Sequence, residues 1–375
     1  MHSLYGPPTQ TAKCHVTACR YRPPQLSAAA VSGGGLLNTD GSSSVVLTGT
    51  NLGPAAVTAS YGAYGPVSCL FASPGALHRS LTCGTLPGMG VGLQWVVTVG
   101  GQQSAPSGGV AAAYAPPVVL SLSPASGYAT GGGENVTLAG TNFGPLVAGN
   151  AVGVTYGPPG AESRHAPTCW LVAAHTRIVC RSAPGVGAGL RAVVSAALQT
   201  GAPSAPTLSY AAPLVAVPVV QWATAGQAVQ VTGANFGPAA AWNPVSALFG
   251  PYAAPCAVLA ASTVLSCDVP AGVGSGYTLV VTVGGQSSNG VSPVGYLAPA
   301  ITGVSGTAPW ATSGGDTVVL VGSNFGAMGS GQAVRARIPV RARALTLPRR
   351  CGMTPRRSRL CPRALSPRIT RSWSA

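Results

Sequence analysis

A six-residue motif that recurs four times constrains the fold of this chain more than any other feature. GTNLGP begins at Gly49, GTNFGP at Gly140, GANFGP at Gly233 and GSNFGA at Gly322, so successive copies start 91, 93 and 89 residues apart. A period of about 90 residues in a chain of 375 predicts an array of similar small domains and not one large enzyme fold. A repeat of that length is close to the size of an immunoglobulin-type domain.

Short strands with two-residue periodicity surround the motif. In the second copy, Val136 and Leu138 alternate with Thr137 and Ala139, which is the pattern of a half-buried strand. Further short apolar runs follow in each repeat, and the 52 Gly and 34 Pro are spread between them as turn residues. Six or seven short strands per repeat predict an antiparallel β-sandwich.

The motif itself is interpreted as the tight loop after an early strand. Its glycines fit backbone with positive φ or a close approach to a neighbouring segment, and its asparagine tolerates the left-handed region. We therefore predict a structural role, and no binding role, for the following positions: Gly49, Asn51, Gly53, Gly140, Asn142, Gly144, Gly233, Asn235, Gly237, Gly322, Asn324 and Gly326.

Two cysteines follow each of the first three copies, at spacings of 14, 11 and 11 residues. The pairs are Cys69 and Cys83, Cys169 and Cys180, and Cys256 and Cys267. Each cysteine stands beside a strand signal, and a disulfide closing such a loop would contribute about 3 kcal/mol. A zinc site would need four ligands per unit, and neither a second cysteine pair nor a histidine recurs in the repeats to complete such a set. Free buried thiols are the other alternative. We favour disulfides, which require an oxidising compartment such as the cell exterior.

Taken together, these signals resemble a known family. The order is a strand, G-[TAS]-N-[FL]-G, a cysteine pair, a P-G-x-G turn, VGGQ and a closing tyrosine at Tyr114, Tyr210 or Tyr296. It resembles the IPT/TIG domain, the immunoglobulin-like fold of plexins, hepatocyte-growth-factor-type receptors, Rel-type transcription factors and some polysaccharide-processing enzymes. The resemblance covers roughly residues 25 to 328 and implies an all-β chain of tandem immunoglobulin-like sandwiches. The second copy departs from it, with SAALQT in place of VGGQ.

The repeat also predicts domain boundaries. We expect a remnant of a preceding unit at 1–24, IPT/TIG domains at 25–115, 116–212 and 213–299, a truncated fourth domain at 300–328, and a basic tail at 329–375. A lone amino-terminal third of a sandwich cannot bury its apolar face, so the 300–328 segment is expected to be poorly ordered or to dock on its neighbour.

Charge is concentrated in the tail. The formal net charge is +15, but eight basic residues face five acidic ones up to residue 334, and twelve arginines lie between Arg335 and Arg371. The array is therefore nearly neutral, which disfavours nucleic acid as a partner. The tail is predicted to be disordered and has two interpretations. It is either a basic arm for anionic polymers or, as its start inside the fourth unit favours, not native coding sequence.

Catalytic and metal-binding patterns are missing from the sequence. No two of the five acidic residues recur at a spacing that would mark a paired carboxylate site. His165 and His175 share the second unit with its cysteines, but the other units lack both, so we expect them to be exposed loop histidines. We predict no enzyme activity, no metal and no cofactor.

Aromatic residues and one sequon remain to be placed. Trp95, Trp170, Phe143, Phe236 and Tyr156 lie on predicted strands and are expected in the cores. Trp222, Trp242 and Tyr252 are less regular, so an exposed platform for sugars or protein stays open for them. Asn135-Val136-Thr137 is a sequon, and Asn135 is a candidate N-glycosylation site, although a strand position weakens it.

The functional hypothesis is a non-catalytic extracellular or cell-surface array that binds or adheres to a protein or glycan. No apolar run is long enough for a transmembrane helix and no signal peptide is visible, so we expect a fragment of a larger, membrane-anchored protein. Alternatives are an accessory region of a carbohydrate-active enzyme and, disfavoured by the paired cysteines, a Rel-type DNA-binding or dimerisation domain. The oligomeric state and the pairing of Cys14, Cys19, Cys351 and Cys361 stay open.

Overall fold

A computed structural model describes most of the repeat array. It covers residues 21–327 and 334–337, except 54–56, 72–74, 76, 109–110, 149, 198, 217–220 and 307–308. Residues 1–20 of the predicted remnant, and the predicted tail apart from 334–337, lie outside the described residues. The described residues form β-strands and no α-helix, which confirms the all-β fold class. The chain divides into two compact units, Met1–Ala211 and Ala212–Ala375, each described here by itself.

The first sandwich belongs to the first unit. Its strands are β1 Gln25–Val31, β2 Ser44–Thr50, β3 Val57–Tyr61, β4 Tyr64–Phe71, β5 Ser80–Gly84, β6 Leu93–Val99, β7 Gln102–Gln103 and β8 Ala111–Ala112. They pair in the order β1-β2-β5-β4-β3-β6-β7, with β8 also on β6. One core contains side chains from β2 and β5 as well as from β3 and β6, because strand β4 joins the two layers.

The second sandwich completes the first unit. Its strands are β9 Val118–Ser123, β10 Ser126–Tyr128, β11 Asn135–Thr141, β12 Val152–Gly157, β13 Thr168–Ala173, β14 Arg177–Arg181, β15 Leu190–Ala196, β16 Gln199–Thr200 and β17 Thr207–Tyr210. They form two sheets, β13-β14-β11-β9 and β10-β17-β15-β12, with β16 on β15. Val136 and Leu138 point between the sheets and are buried, as their alternation predicts.

The second unit contains the third sandwich and a hairpin. The strands are β18 Leu214–Val215, β19 Gln221–Trp222, β20 Gln227–Ala234, β21 Val245–Phe249, β22 Tyr252–Ala260, β23 Val264–Val269, β24 Tyr277–Val283, β25 Gln286–Ser287, β26 Val291–Tyr296, β27 Ala300–Ser305 and β28 Val319–Ser323. Strands β18 to β26 form one sheet, and β27 pairs with β28 alone. The hairpin reaches the third sandwich, because a Cβ on Gly326 would lie 2.6 Å from Cγ1 of Val273.

Three disulfides join residues directly opposite each other on neighbouring antiparallel strands. They are Cys69–Cys83, Cys169–Cys180 and Cys256–Cys267, with Cα atoms 4.2, 4.0 and 4.1 Å apart. The same pair of strands is linked in each sandwich, β4 to β5, β13 to β14 and β22 to β23. Each bond thus closes a hairpin beneath which the core is packed.

A different structural requirement explains each invariant residue of the repeated motif. A Cβ on Gly49, Gly140, Gly233 or Gly322 would lie 2.0 to 2.1 Å from a carbonyl oxygen of the preceding strand. The asparagine two residues later has φ between 59 and 62° in all four copies, and the next glycine has φ between 74 and 89°. Close backbone approach at the first glycine, and left-handed backbone at the asparagine and at the glycine two residues after it, therefore account for G-x-N-x-G.

The irregular turn of the second sandwich keeps the backbone of the others. Gly100 and Gly284 begin the VGGQ turns with φ of 54 and 55°. Ala197 stands at the equivalent position in SAALQT and has φ of 45°. The alanine accepts a left-handed conformation there because β15 and β16 hold the two ends of the turn together.

A buried pair of tyrosines fixes the turn after the second cysteine in the first two sandwiches. The hydroxyls of Tyr156 and Tyr210 are 2.8 Å apart, Tyr210 donates to the carbonyl of Ala183, and the Ala183 N–H donates to Tyr156. Tyr61, Tyr114 and Leu86 repeat this arrangement. Burial raises the pKa of Tyr210, which therefore stays a neutral donor.

In the third sandwich, both the tyrosine that accepts the hydrogen bond and the residue that donates it are replaced. Phe249 occupies the position of Tyr156, and Pro270 occupies that of Ala183. Proline has no N–H, so no donor is left without an acceptor when the tyrosine hydroxyl is missing. The closing Tyr296 still donates to the Pro270 carbonyl at 2.7 Å.

Replacing Tyr156 with phenylalanine is expected to destabilise the second sandwich by about 1–3 kcal/mol, because it leaves the Ala183 N–H buried without an acceptor. Denaturant-dependent hydrogen exchange of peptides from residues 152–210 measures this local free energy. The reverse change, Phe249→Tyr, is the control and should bring no comparable gain, since Pro270 offers no N–H. An equal and opposite gain in the third sandwich would contradict the explanation.

Candidate functional site

The outer face of strand β13 carries the most exposed tryptophan of the described strands. Cys169 pairs inward with Cys180, so alternation turns the next residue, Trp170, to the outside. Trp170 and Val172 are each 42% exposed. Trp170 was expected in the core, and that prediction is wrong. Because Cys169 faces the core, the next residue on the strand must face outward.

Two arginines flank this tryptophan on the neighbouring strand. Trp170 lies opposite Val179 on β14, and Arg177 and Arg181 stand two residues to either side of Val179 on the same face. At the usual rise per residue their Cα atoms are about 13 Å apart, and each is about 8 Å from that of Trp170. We call Trp170, Val172, Arg177, Val179 and Arg181 the Trp170 face.

The two guanidinium groups of this face make few hydrogen bonds within the described part of the chain. Arg181 donates from Nη1 to the carbonyl of Gly133 at 3.0 Å. Among the described residues, the Arg177 guanidinium has no hydrogen-bond or ion-pair partner. The two acidic residues of the second sandwich are engaged elsewhere, since Glu134 accepts from the N–H of Ala129 and Glu162 from that of Gly160. The Trp170 face is therefore positively charged without a local counterion.

The other sandwiches lack this combination at the equivalent positions. The first has Leu70 beside Cys69, and its strand β5 presents Ser80, Thr82 and Gly84. In the third, Ala257 follows Cys256, and β23 presents Val264, Ser266 and Asp268. The backbone repeats, but the aromatic and basic surface belongs to the second copy alone among the three.

The predicted glycosylation position lies on the edge of the same face. Asn135 is exposed and pairs with Arg181 across the sheet, and Thr137 lies opposite Val179. Both side chains point outward, so the strand position does not hide the sequon. Modification of Asn135 stays a prediction.

The aromatic residues that the sequence left open do not form a platform in the third sandwich. Trp222 is 2% exposed and packs edge-on against Phe249, with ring centroids 4.7 Å apart. Tyr252 stacks on Phe249 and exchanges hydrogen bonds with the backbone of Val273. Trp242 is half-buried. Trp222 and Tyr252 pack against Phe249 in the core, in contrast to the outward Trp170.

The histidines of the second sandwich are not exposed loop residues, and that prediction is wrong for both. His165 is 3% exposed and packs on Tyr156 and Tyr210, where the first and third sandwiches have Tyr64 and Tyr252. His175 is half-buried, and its Nδ1 lies 2.9 Å from Oγ1 of Thr39 in the first sandwich. Burial lowers the pKa of His175.

Contacts between the first two sandwiches use a residue of the repeated motif. Besides His175, Asn142 accepts from the N–H of Thr39 at 3.4 Å through Oδ1. Gln199 donates to the carbonyl of Tyr114 at 2.6 Å. In the other copies the corresponding asparagine amides donate to the segment just before their own sandwich, at Pro23, Ala212 and Ala298. Asn142 therefore has a joining role beyond its turn.

The buried His165 predicts that the second sandwich is sensitive to acid. Burial, and secondarily the charge of Arg164, lower the pKa of His165 to about 4. The unfolded imidazole takes up a proton near pH 6.5 while the folded one does not, so stability falls as the pH drops from about 6.5 to about 4. At pH 5 the loss is about 2 kcal/mol.

Hydrogen exchange of second-sandwich peptides between pH 7 and 5, corrected for intrinsic rates, tests this expectation. His165→Tyr restores the residue of the other two sandwiches and should remove most of the pH dependence. A pH dependence that survives this substitution would assign the effect to other groups.

The described residues form no cluster of side chains suited to a metal ion. No three of their His, Cys, Asp or Glu side chains come together to hold a metal ion. A cleft of about 410 Å³ opens in the second unit beside Tyr296, Asn324 and Phe325, and no carboxylate or imidazole lines it. Within the described residues, no helix is long and apolar enough to cross a membrane.

Comparison with known families and structures identifies the repeats. Residues 117–210 and 216–294 match the sequence profile of the IPT/TIG domain. These two segments are IPT/TIG domains. The first sandwich shares the strand order and disulfide position of both segments and the tyrosine pair of the second sandwich, which confirms the predicted tandem array as IPT/TIG-like. No curated protein matches the chain.

Solved structures with a similar fold come from several kinds of protein. One is the full extracellular region of plexin A4, at 15% identity and a TM-score of 0.25, covering 74% of this chain and 25% of that one. Another is the surface glycan-binding protein PbSGBP-B of Prevotella bryantii, at 16% identity and a TM-score of 0.33, covering 47% and 41%. The Escherichia coli adhesin FdeC has 12% identity and a TM-score of 0.22, covering 74% and 99%. The chain thus spans a quarter of the plexin region, and these likenesses identify no ligand for it.

Proposed function

We propose that this chain is a non-catalytic, extracellular or cell-surface array of IPT/TIG domains that binds a protein or glycan ligand. The observation that carries the proposal is the Trp170 face, an exposed tryptophan between two arginines on a disulfide-linked hairpin. Aromatic and arginine side chains are the residues most enriched at binding surfaces, because they bury large area and offer several donors.

The extracellular placement rests on the disulfides. Three cross-strand bonds at one position of successive sandwiches require an oxidising environment in which to form and persist. The same bonds disfavour a Rel-type nuclear domain.

A non-catalytic role rests on the chemistry of the surface. The whole chain has five acidic residues, and both of those in the second sandwich hold backbone N–H groups of their own loops. The backbone N–H donors lower the pKa of Glu162, so this carboxylate stays ionised near neutral pH and is a poor general acid. The family match gives no indication of an enzyme.

Two measurements test the proposal. Peptide mapping of unreduced protein recovered from the cells that make it should find the three disulfides, and free thiols at these cysteines would contradict the extracellular placement. Fluorescently labelled full-length chain should bind to the surface or matrix of the same cells. Binding that is lost in an equally folded Trp170→Ala variant would support the Trp170 face as the site. Absence of any surface binding would contradict the function itself.

A further inference from the structure

We infer that the Trp170 face is a binding site for an acidic glycan, a carbohydrate chain that carries carboxylate or sulfate groups; this inference rests on the proposed surface-binding function. The juxtaposition that points to it is one outward indole on β13 with a guanidinium on either side of it along β14. An indole offers a flat apolar surface for the C–H face of a sugar ring. A guanidinium offers paired donors matched to a carboxylate or sulfate.

The spacing suits an extended ligand. Arg177 and Arg181 lie about 13 Å apart along one strand, with Trp170 between them on the neighbouring strand. A ligand that stacks on the indole can therefore meet a guanidinium at either end. Val172 and Val179 are the apolar residues of the same face beside Trp170.

Charge complementarity selects an anionic partner. Arg177 has no partner among the described residues, and Arg181 uses Nη1 on Gly133, which leaves its other donors available. Glu134 and Glu162, the acids of this sandwich, hold the N–H groups of Ala129 and Gly160. Binding an anion here therefore breaks no existing ion pair of the face, so no competing interaction has to be lost.

Nucleic acid is a poorer fit than an acidic glycan. Proteins that bind nucleic acid through its backbone neutralise several phosphates at once, commonly about six to ten. The Trp170 face supplies two guanidinium groups, and the array up to residue 334 is nearly neutral. Two charges and one stacking surface suit a short stretch of a sugar chain with a lower charge density.

The experiment uses fluorine NMR of the full-length chain labelled with 5-fluorotryptophan. The chain has six tryptophans, and Trp170→Phe identifies the resonance of Trp170. The protein is produced without N-glycosylation, so that no glycan on Asn135 occupies the face. The ligands are a heparin hexasaccharide, hexagalacturonate, neutral cellohexaose and an oligothymidylate of similar length.

We expect the Trp170 resonance to shift on titration with the heparin hexasaccharide, with hexagalacturonate or with both, which distinguishes sulfate from carboxylate recognition. The buried Trp95 and Trp222 should not move, and they also report that the variants are folded. Arg177→Gln together with Arg181→Gln should raise the Kd read at Trp170 by about tenfold or more. Arg191→Gln, an exposed arginine on the other sheet of the same sandwich, is the control and should leave it unchanged.

Each remaining outcome overturns the inference. Binding through the arginine-rich tail would move Trp373 and leave Trp170 in place. An equal shift with cellohexaose would show that charge is not recognised, and a stronger response to oligothymidylate would assign the face to nucleic acid. If no glycan shifts the Trp170 resonance while the labelled chain still binds the cell surface, the proposed surface-binding function stands. Only the assignment of an acidic glycan as the ligand is then wrong.

Discussion

Gly140→Ala is expected to destabilise the second sandwich by about 3 kcal/mol or more. A Cβ at this position would lie 2.0 Å from the carbonyl oxygen of Val118 and 2.5 Å from Cζ of Phe143. The carbonyl belongs to the backbone of β9, where the ladder to β11 already shifts register beside Gly140. Relief of the clash must therefore separate the two strands or displace a fully buried ring.

Gly131→Ala is the matched control in the same sandwich. Gly131 is exposed, and a Cβ there would meet nothing within 4 Å. Denaturant titrations followed by hydrogen exchange of second-sandwich peptides should show a large loss for Gly140→Ala and little change for Gly131→Ala. Equal midpoints for the two variants would mean that the clash is relieved without cost. In that case the recurrence of the first motif glycine would need another explanation.

Removing the disulfide of the second sandwich is expected to cost about 3 kcal/mol. The bond joins Cys169 to Cys180 across a sequence separation of 11 residues. Cys169→Ala with Cys180→Ala enlarges the set of unfolded conformations and also opens space in the core, since Cys180 is 1% exposed. The loss should appear in second-sandwich peptides and leave those of the third sandwich unchanged.

The two cysteines of the arginine-rich tail provide the control for this experiment. Cys351→Ser with Cys361→Ser changes the same number of thiols outside the repeat array. It should leave the exchange of every sandwich as in the parent chain. Treatment of the parent with a reducing agent should reproduce the loss seen in the alanine variant. Unchanged stability after reduction would show that the bond contributes nothing to the folded state.

Several features of the fold followed from the sequence because they depend on local chemistry. Alternation in Val136 and Leu138 marks an inward face, and paired cysteines at short spacing require adjacent strands. The domain boundaries are a prediction of the same kind and stay one. SAALQT shows the limit of this reasoning, since Ala197 takes a left-handed conformation that glycine usually supplies and only the flanking strand pairing explains.

The sequence analysis did not predict the Trp170 face as a binding surface. Trp170 was assigned to the core because it is aromatic and lies on a strand. A signal for the opposite assignment existed, because Cys169 must face inward to reach Cys180, and the next residue on a strand faces outward. Nothing comparable in the sequence places Arg177 and Arg181 beside Trp170, since that depends on the register of β13 against β14.

The positions of the two histidines of the second sandwich also depend on tertiary structure. His165 is buried because it replaces a tyrosine of the ring cluster, a substitution that is visible only when the three sandwiches are compared in space. His175 meets Thr39 across 136 positions of sequence, so its partner could not be read from its neighbours.

The repeated G-x-N-x-G motif by itself determined that the chain is an array of similar all-β units with tight loops. Tertiary structure decided why each residue is there. The first glycine is required by a carbonyl oxygen of an earlier strand, and Asn142 also reaches a different sandwich. Local backbone preferences produce a repeated sequence pattern that can be recognised directly. Contacts between distant segments depend on strand register and side-chain packing, and these cannot be derived from one sequence.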